Sequence, residues 1–449
     1  MANCNWKCPE DWREWTEWLA AGLHGRSRWR LPMIMTGMVL ASGRRTVTTW
    51  LRAVGVSVDF ASYYYFISSL GRNTATVATR LVGLLLLKVF PNDKRWVCAL
   101  DDTPTKRYGP KVQGAGIHHN PTPGPADQKF VYGHIWVTLT LVIRHPLWHT
   151  IGLPLRAMLY VRKKDVSKIP CRPRWKFKTK LELAAEMVEW LADILRRSGR
   201  TLWIVVDGAF ANRPFLKRAM GAGAVVFGRL RKDAALRTLP PPLKPGERRG
   251  RGRTRKYGKE KISLVKRAAH KNGWQTIDCV LYQGQLATKV YKSFLATYKP
   301  AGGLIRVVIV REDHGWAAFY CTDPSITVRE ILETFSDRSA IEQDFQDVKQ
   351  VWGAGQQQLR NIWSNIGAYH LNIWSHTLVE LWAWNKSHRE ICNRAASPWD
   401  DPSRRPSHAD RRNALRRTIL RQEFLAVVNR TPVSRKIKNL FQRLTALAA

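Results

Sequence analysis

The stretch TKLELAAEMVEWLADILRRSGRTLWIVVDGAF, residues 179–210, decides the fold class. Its first part carries apolar residues at helical spacing, with Glu, Asp and Arg between them. The second part, TLWIVV, is a continuous apolar run too short for a helix and stopped by Asp207-Gly208. A helix that leads straight into a buried type of strand is the repeating unit of an α/β sheet. Upstream, RWVCAL, KFVYGHIWVTLTLVIR and HTIGLPLRAMLYV read as strands, the first ending at Asp101-Asp102. Downstream come a helix (RPFLKRAM) and another strand (AVVFGRL). The sum is an α/β domain around a mixed sheet.

Five helical patterns precede that sheet in residues 1–92. One of them, SGRRTVTTWLRAVGV, reads as a short helix capped by Ser42, with Arg44 and Arg45 at its start. A basic helix start is compatible with a helix-turn-helix reader of DNA, and equally with a bundle helix that has a solvated basic edge. The sheet region runs over 93–230, and order gives way to a basic arm in TLPPPLKPGERRGRGRTRKYGKEK. Arg251, Arg253, Arg255 and Lys256 lie in that arm. Four strand-like pieces then make a β-rich insertion over 231–322. A long helix opens the last part of the core, 323–385, and a basic helical tail fills 386–449.

Composition narrows the partner. Lys and Arg exceed Asp and Glu by 74 to 34 in 449 residues, for a net charge of +40. So large an excess repels itself unless a polyanion neutralises it, which points to nucleic acid. Twenty tryptophans and a 45% hydrophobic fraction argue for a folded chain. LVGLLLL is too short to span a bilayer, so no membrane partner is expected. Seven cysteines at irregular spacing fit no disulfide framework and suit a reducing cytoplasm.

FSDRSAIEQDFQDVKQ, residues 335–350, gathers four carboxylates in this basic chain. On a helix of about 100° per residue, Phe335, Arg338, Glu342, Phe345 and Lys349 fall in one stripe. Asp337, Asp344 and Asp347 lie off it and read as a solvated face. Asp102 and Asp207 each end an apolar strand, where an ionised acid is costly unless it faces a cation. Two strand acids and a helix Glu converging on one point would repel unless divalent metal neutralised them. Mg²⁺ suits such hard oxygen donors, and two such ions can clamp both oxygens of a phosphodiester displacement.

These residues resemble the DDE transposases of bacterial insertion sequences, an RNase H-like superfamily. The likeness is closest to the cut-and-paste branch with a Tyr-x2-Arg-x3-Glu-x6-Lys signature, here Phe335-x2-Arg338-x3-Glu342-x6-Lys349. In that family the first acid precedes a Thr, as in LDDTPTKRYG, which maps it to Asp102 with Asp101 as neighbour and competitor. VVDGAFANR maps the second acid to Asp207. The resemblance implies an RNase H-like core with a β-rich insertion and helical flanks. It also implies catalysis by Asp102, Asp207 and Glu342 with Mg²⁺ or Mn²⁺, and end cleavage followed by strand transfer. Double-stranded DNA (terminal inverted repeats and target) would be bound by Arg338, Lys349, Phe335, Arg44, Arg45 and the basic arm. Trp316 stands where some relatives stack a flipped base, although a core role suits a strand Trp as well. A dimer on paired ends in the bacterial cytoplasm, associated with the nucleoid, completes the expectation.

Overall fold

The computed structural model describes residues 6–120, 128–170, 175–241, 255–392, 399–401, 403–428 and 434–447. Strand β1 (Arg95–Lys106) is the axis of the molecule. It pairs antiparallel with β3 (Phe130–His145) on one side and parallel with β5 (Thr201–Val206) on the other. Beyond β3 lie β4 (His149–Tyr160) and the short β2 (Gly116–His119), and β6 (Val225–Leu230) runs parallel to β5. The result is the mixed sheet of an RNase H-like core. Helix α6 (Lys180–Arg197) connects β4 to β5, and α7 (Arg213–Gly221) connects β5 to β6. A reciprocal cap between Thr179 and Glu182 starts α6, satisfying two free N–H groups at once.

The insertion extends this same sheet. Its strands are β7 (Leu236–Arg237), β8 (Lys261–Ile262), β9 (Gln275–Leu281), β10 (Gln285–Tyr298), β11 (Gly303–Glu312) and β12 (Gly315–Cys321). Because β12 pairs antiparallel with β6, the twelve strands among the described residues form one sheet. The short helix α8 (Leu264–Ala269) sits within the insertion.

Helices α1 (Glu10–Ala20), α2 (Arg30–Leu40), α3 (Val47–Ala53), α4 (Phe60–Arg72) and α5 (Thr74–Leu84) precede the sheet. They share one hydrophobic core with it, through Trp12, Trp50, Ile67 and Leu81. Thr46, four residues after the expected Ser42, caps α3 by accepting from the Thr49 N–H.

The acid-rich segment is two helices, α9 (Val328–Asp337) and α10 (Ala340–Gln350), joined at Arg338-Ser339. Then come α11 (Ile362–Ala383), α12 (His388–Ile391), α13 (His408–Val428) and α14 (Arg435–Leu447). Helix α11 is buried on nearly every side, lying against α4, β4 and α13. Two close approaches fix it on α4: a Cβ on Gly71 or Gly367 would strike the backbone of the opposite helix. Among the described residues, no helix is long and apolar enough to cross a membrane.

The basic tail is partly internal. Arg412 is 4% exposed and donates from Nη2 to the carbonyls of Val39 (2.8 Å) and Ala41 (2.6 Å), at the end of α2. Those carbonyls lack helical partners, so the guanidinium satisfies them where the helix dipole is negative.

Candidate active site

The parallel register sets Leu100 beside Val206, so Asp101 and Asp207 are the next residues on adjacent strands. Side chains alternate along a strand. Leu100 and Val206 enter the large core, whereas Ala99 and Val205 face the side covered by α9 and α10. Asp101 and Asp207 belong to that second side. There Arg338, at the joint of α9 and α10, donates from Nη1 to Asp101 Oδ2 (2.7 Å) and from Nη2 to Glu342 Oε1 (2.8 Å). One guanidinium thus ties a strand acid to the helix acid.

The environments of these carboxylates differ. Desolvation pushes the Asp101 carboxyl up to about 6, reinforced by the charges of Asp102 and Asp207 and opposed by Arg338 and the Asp102 N–H. Asp207 accepts from the Gly208 N–H at 2.5 Å, which fixes its side chain where β5 ends. Glu342 stands in the first turn of α10 with its side chain 60% exposed, open to a ligand and at the positive end of a helix.

Asp102 does not join this cluster. Strand β1 runs on to Lys106, so the Asp pair lies within the strand and its members point to opposite faces. The Asp102 carboxylate accepts from Lys180 Nζ at 2.7 Å, at the start of α6. It lines a cleft of about 860 Å³ with Arg44, Lys106, Tyr108 and Lys349. Burial and the charge of Lys106 both lower the Lys349 ammonium, so an anion in this cleft would relieve two crowded cations.

The other expected contacts divide. Arg44 is exposed at the cleft, but Arg45 is spent internally, donating to Val351 O at 3.3 Å and to Ala41 O. Phe335 packs on Phe319 of β12, with ring centroids 4.6 Å apart, so it is a packing residue in place of a free aromatic. Trp316 is half-buried against the large core, across the sheet from α9, with Lys232 Nζ 5.3 Å over its ring. Arg251 and Arg253 lie outside the described residues. Arg255 and Lys256 line a second cleft, of about 970 Å³, with Arg213, Lys217, Arg237 and Lys299. No carboxylate lines that cleft among the described residues, which makes it a bed for polyanion.

Asp337, Asp344 and Asp347 are not a solvated face. Asp337 (7% exposed) accepts from Arg144 Nε at 2.8 Å and from Thr150 Oγ1 at 2.7 Å. Asp344 is 3% exposed, and Asp347 is half-buried. The three acids off the stripe turn inward, and the stripe itself meets solvent at Glu342.

An RNase H-like sheet with a strand acid and a helix acid meeting beside a second strand acid defines a nuclease-type α/β protein. The family model of DDE superfamily endonucleases matches residues 19–287, more than half of the chain, and the chain belongs to that family. The match takes in Asp101, Asp102 and Asp207 and ends before Glu342. Membership implies divalent-metal chemistry on DNA. Among curated proteins, none matches this chain.

Proposed function

We propose that the protein is a DNA transposase that cuts the ends of its mobile element and joins them to target DNA. Asp101, Asp207 and Glu342 would hold the Mg²⁺ or Mn²⁺ ions. The observation that carries this reading is the single guanidinium shared by Asp101 and Glu342, on the side of the sheet where Asp207 also lies. Arg338 occupies the place of a cation between two carboxylates. The donor set fits the ions: hard oxygens from a strand, a strand end and a helix start. Asp101, raised to about 6 beside two other acids, is a group that gains from a bound divalent charge.

When bound, the ions supply Lewis-acid activation of the attacking oxygen and stabilisation of the leaving one. The rest falls to the chain. Arg338 opposes protonation of Asp101 and orients both Asp101 and Glu342 until then, and afterwards is free to meet phosphate. Lys349 and Arg44 grip the DNA backbone in the cleft beside β1, and the basic cleft of the insertion holds it further out. Such contacts release counterions, so binding should weaken steeply with salt. Asp102 acts through Lys180, supporting the strand from its other face.

The test is an assay with end-labelled element DNA, target plasmid and Mg²⁺ or Mn²⁺. Joined products support transposition, and cut products alone indicate a nuclease without strand transfer. Binding without reaction indicates an inactive DNA-binding derivative.

A further inference from the structure

On the side of α10 away from Glu342, a second acidic centre is largely buried. Asp344 and Asp347 come from α10, His376 and Glu380 from successive turns of α11, and His408 and Arg411 from α13. Together they border a cavity of about 250 Å³. His408 is fixed: Trp352 Nε1 donates to its Nε2 at 2.7 Å, so the proton sits on Nδ1 and is donated to Glu380 at 2.6 Å. Arg411 donates to the same carboxylate at 2.9 Å.

His376 is different. It is 2% exposed and stacks on His408 at 3.9 Å, and neither ring nitrogen has a hydrogen-bond partner among the described residues. Its Nε2 stands 3.8 Å from Asp344 Oδ1 and 3.8 Å from Asp347 Oδ2. That is too long for a hydrogen bond. It is the spacing of two ligands on one small ion, since donors about 2.0–2.2 Å from a metal stand roughly 3.4–4 Å apart. The Asp344 Oδ2 atom also lacks a partner among the described residues.

Charge points the same way. Asp344, Asp347 and Glu380 face one buried guanidinium, that of Arg411. At the rim, Arg404 is engaged by Asp400 and Asp410, and Arg405 by the Trp148 carbonyl. Three acids against one fixed positive charge leave a deficit that a divalent cation, or a proton on His376, would close. The strand below makes room: a Cβ on Gly152 would fall 2.1 Å from Asp344 Oδ2.

We propose that His376 and Glu380, whose ligand atoms converge within 4.8 Å beside His408, bind a structural divalent cation of the zinc class, with a carboxylate oxygen of Asp344 or Asp347 completing the set. An imidazole nitrogen among carboxylates selects that class over magnesium. His408 orients Glu380 from outside, the usual arrangement around a metal ligand. The ion would lock α10, and so Glu342 on its opposite side, to α11 and α13. It is separate from the DNA-cleaving centre and does not depend on it.

The experiment uses the full chain carrying Asp101→Asn, Asp207→Asn and Glu342→Gln, which removes the other carboxylate centre. The protein is stripped with chelator, dialysed against Zn²⁺, and examined by elemental mass spectrometry and thermal melting. About one zinc per chain and a melting temperature raised by several degrees are expected. Adding His376→Gln should weaken zinc binding at least about 100-fold. Loading the same parent with Co²⁺ keeps the test open if the His376 variant misfolds, since nitrogen ligation gives visible bands unlike those of the aqueous ion. No retained zinc and no thermal shift would overturn the proposal. Zinc held equally well after His376→Gln, or an all-oxygen cobalt spectrum, would do the same.

Discussion

Helix α10 carries acid on two sides, built in opposite ways. Toward the open face, Glu342 is 60% exposed and tied to the strand acid Asp101 through one arginine. Toward the interior, Asp344 is buried at the floor of a pocket to which three helices contribute polar side chains. An exposed carboxylate stays ionised cheaply and can be reached by a phosphate. A buried one needs permanent partners, or it takes up a proton. Burial and neighbouring acids accordingly push the Asp344 carboxyl up to about 7, against the pull of His376. One short helix thus separates an acid that must stay available from acids that hold the fold.

The largest test of that division is catalytic. Glu342→Gln and Asp101→Asn should each lower single-turnover cleavage by about 10³-fold or more, while gel-shift affinity and melting temperature stay near the parent's. Equal damage to folding would erase the distinction between the two sides.

Gly152→Ala attacks the interior instead. It drives a methyl group into the Asp344 carboxylate, so urea melts should show a loss of roughly 2–4 kcal/mol. Cleavage per folded molecule should change little.

Two neutral histidines offer a contrast with the charged interior. Burial lowers His134 to about 3, where Arg107 Nε donates to its Nδ1, and lowers His370 to about 3 inside α11. The unfolded chain, titrating near 6.5, takes up protons first as pH falls. The stability these rings contribute is present above pH 6.5 and is lost progressively toward pH 3, by roughly 1 kcal/mol per pH unit for each. Urea melts between pH 7.5 and 5 should show that slope, and His134→Gln should flatten it. An unchanged slope would exclude His134 as a source.

The smallest effect should come from Asp102→Asn. It breaks the pair with Lys180 on the far face and should lower cleavage by less than about tenfold. A loss as large as that of Asp101→Asn would reverse the facing of β1.

Much of this was legible in the sequence. The order of strands and helices followed from periodicity, and Asp102, Asp207 and Glu342 were singled out from their positions, with Asp101, the acid that the structure ties to Glu342 through Arg338, as the neighbour of the first. What stayed hidden was which way side chains face. WVCAL and LWIVV are apolar at every position because both sides of the strands are covered, so they carry no alternation to separate Asp101 from Asp102. The acids of α10 misled for a related reason. Charge on a helix usually means solvent, and only the packing of α11 and α13 turns Asp344 and Asp347 inward. Phe335 and Arg45 likewise carry motif-like chemistry, but their partners, Phe319 and the Val351 carbonyl, come from elsewhere in the chain.

The contact of Arg412 with the end of α2 has a consequence for biosynthesis. The carbonyls that close the second helix wait for a guanidinium that leaves the ribosome almost four hundred codons' worth of chain later. Until then the amino-terminal bundle is unfinished. A nonsense product ending before α13 would leave that helix end uncapped and its core short of a wall, so it should be an unstable fragment.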